Sequence, residues 1–264
     1  MRQAWSGWTA DTIWSSVRRT EHLQSRLFAA RTPRRSQPGR QPRPLFHLSE
    51  TPPAGTPGYF VALTFDDGPD PQWTPPLLEV LRRHQACATF FVVGERVRQY
   101  PEIAQRIVLA GHALGNHTMR HPRSFAGLPP NRIREEIQHA QDAVIRATGQ
   151  APRLFRAPAG NWSRTVLRLA DEAGLQPVDW SIDVKDWHAP PARHIFDAML
   201  RSRPGDIVLC HDGGGDRSAT ITAVQAALPA LRGRGLAFTT LKRGFPHSRL
   251  DATLAPGLPS VLSR

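Results

Sequence analysis

From residue 59 onward, short apolar runs alternate with stretches in which apolar residues recur three and four positions apart. The short runs predict seven strands, at 59–65, 87–93, 112–116, 153–157, 177–183, 206–210 and 236–241. The stretches between them predict helices, several of which end at glycine. This alternation predicts a mainly parallel sheet, and six or seven such units in about 190 residues favour a closed or nearly closed barrel over a doubly wound sheet.

The first 57 residues have a different composition, rich in arginine and proline and without periodicity. Nine arginines and three acids give residues 1–57 a charge of +6, half of the chain's formal net charge of +12. Such a segment buries too little apolar surface to order itself, so we expect a flexible basic extension, with a short amphipathic helix near 9–29 as its one candidate element. Its charge predicts solubility, linkage or weak contact with an anionic surface; nucleic-acid binding is the less favoured alternative.

Several classes of protein do not fit the sequence. No stretch approaches about eighteen uninterrupted apolar residues, which argues against a transmembrane segment. The amino terminus lacks the apolar centre of a secretory signal peptide, so the sequence indicates no export route. Cys87 and Cys210 each lie in a short apolar run, which predicts buried free thiols rather than a disulfide framework or a cysteine-rich zinc site.

Chemically reactive residues follow five of the predicted strands, where a barrel of this kind places its active site. The first strand ends in two adjacent carboxylates, Asp66 and Asp67, whose opposite directions suit two different roles. The third strand leads into HTMRH, which predicts His117 and His121 on one face of a helical turn, directed at one cation. Any one of these motifs also occurs as an ordinary surface turn, but their succession at strand ends indicates an active site. The three later strand ends carry RAPAG at 156–160, DVKDW at 183–187 and LCHDG at 209–213.

In order along the chain, TFDDGP, HTMRH, RAPAG, DVKDW and LCH resemble the five motifs of the polysaccharide deacetylases of carbohydrate esterase family four, which carry the NodB homology domain. The resemblance covers residues 58–246 and leaves 247–264 as a tail. It implies an α/β fold, a distorted (β/α)7 barrel. It also implies one divalent metal ion, usually zinc, with cobalt or another divalent ion as the alternative. The reaction that it implies is hydrolysis of N-acetyl or sometimes O-acetyl groups on a glycan.

The resemblance also implies a role for each motif residue. The residues expected to bind the metal ion are Asp67, His117 and His121. Two imidazoles and one carboxylate leave open positions for water and substrate, and a metal ion so held lowers the pKa of water to about 7. The residues expected to act in catalysis are Asp66 as general base, Arg156 orienting it, His211 as general acid, and Asp186, in preference to Asp183, keeping His211 charged.

The resemblance further implies contacts to the substrate. The residues expected to make them are Pro158, Ala159, Trp187 and Leu209. The backbone N–H of Ala159 is expected to stabilise the oxyanion, and Trp187 and Leu209 to line the pocket for the acetyl methyl group. Relatives usually carry an aromatic residue at the position of Ala159, so the sugar site is expected to be more open here unless Trp162 or Trp73 fills the gap.

The expected function is removal of N-acetyl groups from N-acetylated amino sugars in peptidoglycan, a chitin-like polymer or a biofilm polymer. Substrates of this class favour the cell envelope or the exterior, although the sequence indicates no export route. The first alternative is an O-acetyl esterase that acts on acetylxylan-like polysaccharide with the same residues. The second is a non-catalytic glycan-binding module, which loss of Asp66 or a metal ligand would indicate; none of these residues is lost.

Overall fold

The central element of the protein is a parallel sheet of eight strands. The structure, a computed structural model, describes residues 42–48 and 59–241. Its strands are β1 (Tyr59–Asp66), β2 (Thr89–Val92), β3 (Ala113–Asn116), β4 (Leu154–Phe155), β5 (Gln176–Pro177), β6 (Ile182–Asp183), β7 (Ile207–His211) and β8 (Leu236–Phe238). They pair in the order β5-β4-β3-β2-β1-β7-β6, and β8 pairs with the first residues of β1. The predicted α/β fold with a parallel sheet curled into a distorted barrel is confirmed.

In the described part of the chain, seven helices connect the strands. They are α1 (Thr74–Arg83), α2 (Gly94–Gln99), α3 (Pro101–Leu109), α4 (Pro130–Thr148), α5 (Arg164–Glu172), α6 (Ala192–Met199) and α7 (Ser218–Gly233). The sequence predicted six of them and missed α2, whose six residues include only one large buried side chain, Val97, and therefore show no period. The long helix α4 ends where Gly149 adopts a φ of 70°, the left-handed conformation that commonly closes a helix. No helix in the described ranges is both long and apolar enough to span a membrane.

The central strand β1 is buried on both faces, as expected for a parallel strand between two layers. Val61, Leu63 and Phe65 pack with residues of the surrounding helices, while Ala62 belongs to a second cluster that fills the inside of the curled sheet with Phe91 and others. Both faces are therefore apolar, and the polar residues of this strand collect at its carboxyl end. Packing thus fixes where Asp66, the last residue of this strand, emerges.

The predicted strand at 177–183 is two short strands in the structure. β5 pairs with β4 and β6 pairs with β7, and residues 178–181 cross between them, with the N–H of Ser181 donating to the carbonyl of Ile207 at 3.0 Å. Among the described residues no strand pairing joins β5 to β6. The apolar pattern of the sequence does not show this break, because residues on both sides of it remain buried or half-buried.

Residues 42–48, which the sequence analysis assigned to the extension, lie against the barrel. Leu45 forms a parallel bridge to Val178 after β5, and His47 forms an antiparallel bridge to Asp206 just before β7. Leu48 is buried. Two leucines in an arginine- and proline-rich stretch show no period, which is why the sequence did not reveal this contact. The remainder of the extension, the predicted helix near 9–29, and the tail 247–264 lie outside the described residues, and those predictions stay predictions.

Candidate active site

The predicted site residues converge at the carboxyl edge of the sheet. In the pairing of β1 with β7, Asp66 lies opposite His211. β2 pairs with β3 on the other side of β1, which brings the loop after Asn116 to the same edge. The loop after β4 supplies Arg156, and the turn after β6 supplies Asp186. Parallel strands therefore gather five separated segments at one edge, as expected for a β/α barrel.

Asp67, His117 and His121 form the one cluster in the described part of the chain whose three side chains are placed to hold a metal ion, with donor atoms all within 4.8 Å of one another. Oδ1 of Asp67 lies 3.5 Å from Nε2 of His117 and 3.3 Å from Nε2 of His121. This oxygen is buried and has no hydrogen-bond partner among the described residues. An orphaned carboxylate oxygen facing two ring nitrogens fits a divalent metal ion, which would satisfy all three.

The charge states of Asp67 and His121 suit metal binding. Burial by itself would raise the pKa of Asp67, but its interaction with His117 and the charges of His211 and His121 hold it well below the usual range. Burial and the neighbouring His117 lower the pKa of His121. The carboxyl group is therefore ionised and the His121 ring neutral near pH 7, and these are the forms that bind a metal ion.

The two histidines meet through a loop and not through the helical turn that the spacing predicted, so that prediction is wrong. Thr118 and His121 have φ angles of 67° and 54°, which no α-helix contains. The side chain of Asn116 accepts from the N–H of Thr118 at 2.9 Å, and the hydroxyl of Thr118 accepts from the N–H of His121 at 3.1 Å. Side chains thus take the N–H groups that a helix would bond to carbonyls.

The orientation of His117 depends on a backbone group that the sequence analysis missed. Its Nδ1 lies 2.8 Å from the carbonyl oxygen of Arg156, and the ring is buried. Because a carbonyl only accepts, Nδ1 carries the proton and donates, which leaves the lone pair of Nε2 directed at Asp67. No sequence motif reports such a contact, since it is made by a main-chain oxygen.

Asp66 is held by the fully buried guanidinium of Arg156. Nη1 of Arg156 donates to Oδ1 of Asp66 at 2.7 Å and to the hydroxyl of Thr64 at 2.8 Å. Nη2 donates to the carbonyl of Asp179 at 2.9 Å, and the guanidinium lies 4.1 Å from the ring centroid of Phe91. Oδ1 of Asp66 is thereby engaged, and Oδ2, 3.7 Å from Nε2 of His117, faces the cluster of Asp67, His117 and His121.

His211 lies against Asp186. Its Nδ1 is 2.7 Å from Oδ1 of Asp186, and its backbone N–H donates to Oδ2 of the same carboxylate at 2.8 Å. Burial would lower the pKa of His211, but its bond to Asp186 and the charges of Asp186, Asp66 and Asp67 raise it to about 9. Asp183 bonds to Lys185 instead, at 2.8 Å through the N–H and 2.9 Å through Nζ. Of the two aspartates weighed from the sequence, Asp186 is the neighbour of His211.

The residues expected to contact substrate differ in exposure. Ala159 is exposed and has a φ of 52°, and Trp187 is half-exposed and stacks on His188 with 3.7 Å between ring centroids. Pro158 and Leu209 are buried. Trp162 does not stand free to replace a missing aromatic ring, because its Nε1 donates to Asp179 and its ring packs edge-on against Phe155.

Trp180, which the sequence analysis did not single out, reaches this region from another segment. A Cβ added at Gly160, the neighbour of Ala159, would lie 3.0 Å from the ring of Trp180. The side of the site next to Ala159 is thus partly walled by a ring from the segment between β5 and β6. A tryptophan within a predicted strand is expected to be a core residue, so no local pattern identified Trp180 as part of the site.

The fold and this site together define an α/β-barrel hydrolase with a cluster of two histidines and one carboxylate that is suited to hold a metal ion. The chain belongs to the polysaccharide deacetylase family, carbohydrate esterase family 4, whose members are metal-dependent. The family model described as polysaccharide deacetylase matches residues 54–178. The protein is therefore a metal-dependent deacetylase of this family, and the hydrolase class predicted from its motifs is confirmed.

Relatives with assigned activities cover the same region. The chain is 39% identical over 194 residues to a chitooligosaccharide deacetylase of Azorhizobium caulinodans, and this match covers 69% of this chain and 92% of the relative. It is 39% identical over 184 residues to a peptidoglycan-N-acetylglucosamine deacetylase of Bacillus cereus, covering 69% and 85%. A crystallised peptidoglycan N-acetylglucosamine deacetylase superposes with a TM-score of 0.70 at 35% identity, covering 75% of this chain and 90% of that one.

Proposed function

We propose that this protein hydrolyses the N-acetyl groups of N-acetylglucosamine units in a glycan and uses zinc as its metal ion. The observation that carries the proposal is the arrangement of two oriented groups around one cluster. Asp66, fixed by Arg156, faces the cluster of Asp67, His117 and His121, and His211, paired with Asp186, lies opposite Asp66 in the strand register. The names of the relatives from Azorhizobium and Bacillus support an N-acetylated sugar as substrate.

The donor set supports zinc. Asp67 offers an oxygen and His117 and His121 each offer a nitrogen, and imidazole ligands suit zinc and its transition-metal neighbours better than magnesium or calcium. When bound by these three residues, zinc supplies a Lewis acid that acidifies water and polarises the acetyl carbonyl. His117 is set for this task by the carbonyl of Arg156, which leaves its Nε2 as an acceptor.

Asp66 acts as the general base. Arg156 occupies Oδ1 and cannot lose its own proton at working pH, so Oδ2 is the oxygen that accepts the proton of the attacking water. The backbone N–H of Ala159, at the exposed edge of the loop after β4, donates to the developing oxyanion.

His211 acts as the general acid. An amine is a poor leaving group unless its nitrogen gains a proton, so amide hydrolysis needs a protonated side chain on the leaving side. Asp186 accepts from Nδ1 of His211, which directs Nε2–H away from Asp186 and keeps the ring protonated near neutral pH. Trp187, half-exposed beside Asp186, lines the pocket for the acetyl methyl group.

The test is acetate release from N-acetylglucosamine oligomers, peptidoglycan and acetylxylan. We expect zinc-loaded protein to release acetate from the first two, and chelator-stripped protein and Asp66→Asn to release almost none. Restoration by added zinc, compared with cobalt and magnesium, identifies the metal. Release from acetylxylan alone would replace the proposal with the O-acetyl esterase alternative. Metal-loaded protein that binds glycan without any release would favour a glycan-binding module.

A further inference from the structure

Two buried side chains at the start of α7 hold the loop that carries His211 and the turn that carries Asp186. Arg217, which immediately precedes the helix, donates from Nε to the carbonyl of Gly213 at 2.7 Å and from Nη1 to the carbonyl of Asp186 at 3.0 Å. Thr220, in the first turn, donates its hydroxyl to Oδ2 of Asp186 at 2.9 Å. Both side chains are almost completely buried.

Thr220 adds a third donor to the carboxylate of Asp186, from an element other than the one that carries His211. Oδ1 accepts from Nδ1 of His211, and Oδ2 accepts from the backbone N–H of His211 and from Thr220. Because donors reach both oxygens from different directions, the carboxylate plane is fixed and cannot rotate about its χ2 bond. A fixed plane in turn fixes the direction of the His211 ring.

The guanidinium of Arg217 is buried without an acidic partner. Among the described residues no carboxylate oxygen lies within 4.0 Å of it, although buried arginines are usually paired. Its identified hydrogen bonds go to main-chain carbonyls of two different loops. Two glycines lie next to the guanidinium: a Cβ added at Gly214 or Gly215 would lie 3.6 Å from Nη2 of Arg217.

The loop that Arg217 binds also touches the metal-binding segment. A Cβ added at Gly213 would lie 2.4 Å from the carbonyl oxygen of Asp67, so the loop passes directly against that residue's backbone. The guanidinium fork therefore connects the turn of Asp186 to a loop that rests on Asp67. Lysine has no such fork and cannot bind two divergent carbonyls in the same way.

We propose that Arg217 and Thr220 are positioning residues that hold the His211–Asp186 pair at a fixed place relative to the metal-binding segment. The inference rests on the proposed function, in which His211 protonates the leaving amine. Neither residue touches the reacting atoms. Their effect is therefore confined to the step that needs His211, and hydrolysis of an ester with a good leaving group needs that step far less.

The experiment compares two substrates. Chitooligosaccharide has an amine leaving group, and 4-nitrophenyl acetate has a phenolate that departs without a proton. We expect Thr220→Val, which removes the hydroxyl and keeps the shape, to lower kcat on the oligosaccharide about tenfold, a part of the 10²–10⁴ that general acid–base catalysis supplies. KM and hydrolysis of 4-nitrophenyl acetate change less than about twofold. Arg217→Lys also lowers kcat on the oligosaccharide more than it lowers hydrolysis of 4-nitrophenyl acetate, and both losses are larger than in Thr220→Val.

Two matched variants accompany these. Thr220→Ser restores the hydroxyl and with it oligosaccharide hydrolysis. Thr222→Val makes the same replacement two residues along, on the exposed side, where the hydroxyl bonds only to the carbonyl of Ser218, and it behaves as wild type. Zinc affinity measured by calorimetry stays unchanged in Thr220→Val, because the three ligands are intact.

Equal losses on both substrates, or no loss in Thr220→Val, would overturn the inference, since a general structural defect or no role at all then explains the data. Wild-type protein that hydrolyses 4-nitrophenyl acetate but releases no acetate from any N-acetylated glycan would instead contradict the proposed function. The two failures are therefore distinguishable in one set of assays.

Discussion

Asp186 binds His211 twice, through the ring at 2.7 Å and through the backbone N–H at 2.8 Å. The carboxylate is completely buried, so it acts on His211 with little screening by solvent. One residue thereby sets both where the imidazole points and how strongly it holds its proton. The pair connects the turn after β6 to the end of β7.

Replacing Asp186 with asparagine should shift the pH dependence of deacetylation. The pKa of His211 is raised to about 9 chiefly by Asp186, against the effect of burial, and an amide removes the charge responsible. A general acid is active below its pKa and loses activity as the pH rises through it. The wild type should therefore stay active as the pH rises toward 9, whereas Asp186→Asn should already lose activity at a lower pH. The measurement is kcat against pH on chitooligosaccharide. Asp183→Asn, which only frees Lys185, should keep the wild-type profile.

Removing one imidazole should abolish stabilisation by zinc. A ligand present at about 100 times its Kd adds about 2.7 kcal/mol to the free energy of unfolding, and this should appear as a rise in Tm when zinc is added to wild type. His121→Ala should show no such rise and almost no acetate release, because only two ligands remain. His139→Ala, at an exposed position on α4, is the control. A zinc-dependent Tm that survives in His121→Ala would contradict the ligand assignment.

Arg156→Met should cost stability as well as activity. The guanidinium is fully buried against Asp66, and breaking a buried ion pair by removing one partner costs about 3–5 kcal/mol because a charge is left unpaired. Urea unfolding measures this loss, and acetate release should fall with it. Arg153→Met, three residues earlier and exposed, should change the free energy of unfolding by less than about 0.5 kcal/mol.

His112 should make the fold sensitive to acid at a place outside the active site. Burial lowers its pKa to about 4, and its Nδ1 accepts from the N–H of Ala88 at 3.2 Å. The folded state therefore favours the neutral ring. Its contribution is present above the unfolded pKa of about 6.5 and is lost as pH falls toward 4. His112→Asn should weaken the pH dependence of the free energy of unfolding in this range, whereas His139→Asn should not.

Much of this molecule was predictable from local pattern. Buried strands and amphipathic helices leave their period in the sequence, and six helices and the strand positions followed from it. Asp66 and Asp67 were found because they are neighbours at the end of an apolar run. The short helix α2 and the break inside 177–183 were not, since neither changes the apolar pattern enough to be seen.

By itself the sequence determined the fold class, the family motifs and the residue types that the site contains, because these are properties of short segments. Only the tertiary structure decided which groups meet. Asp183 and Asp186 are three positions apart on one segment, yet one reaches His211 and the other Lys185. Thr220 meets Asp186 across 34 positions of sequence, because α7 begins beside the turn after β6. Such contacts depend on how separate segments pack, and no single segment records them.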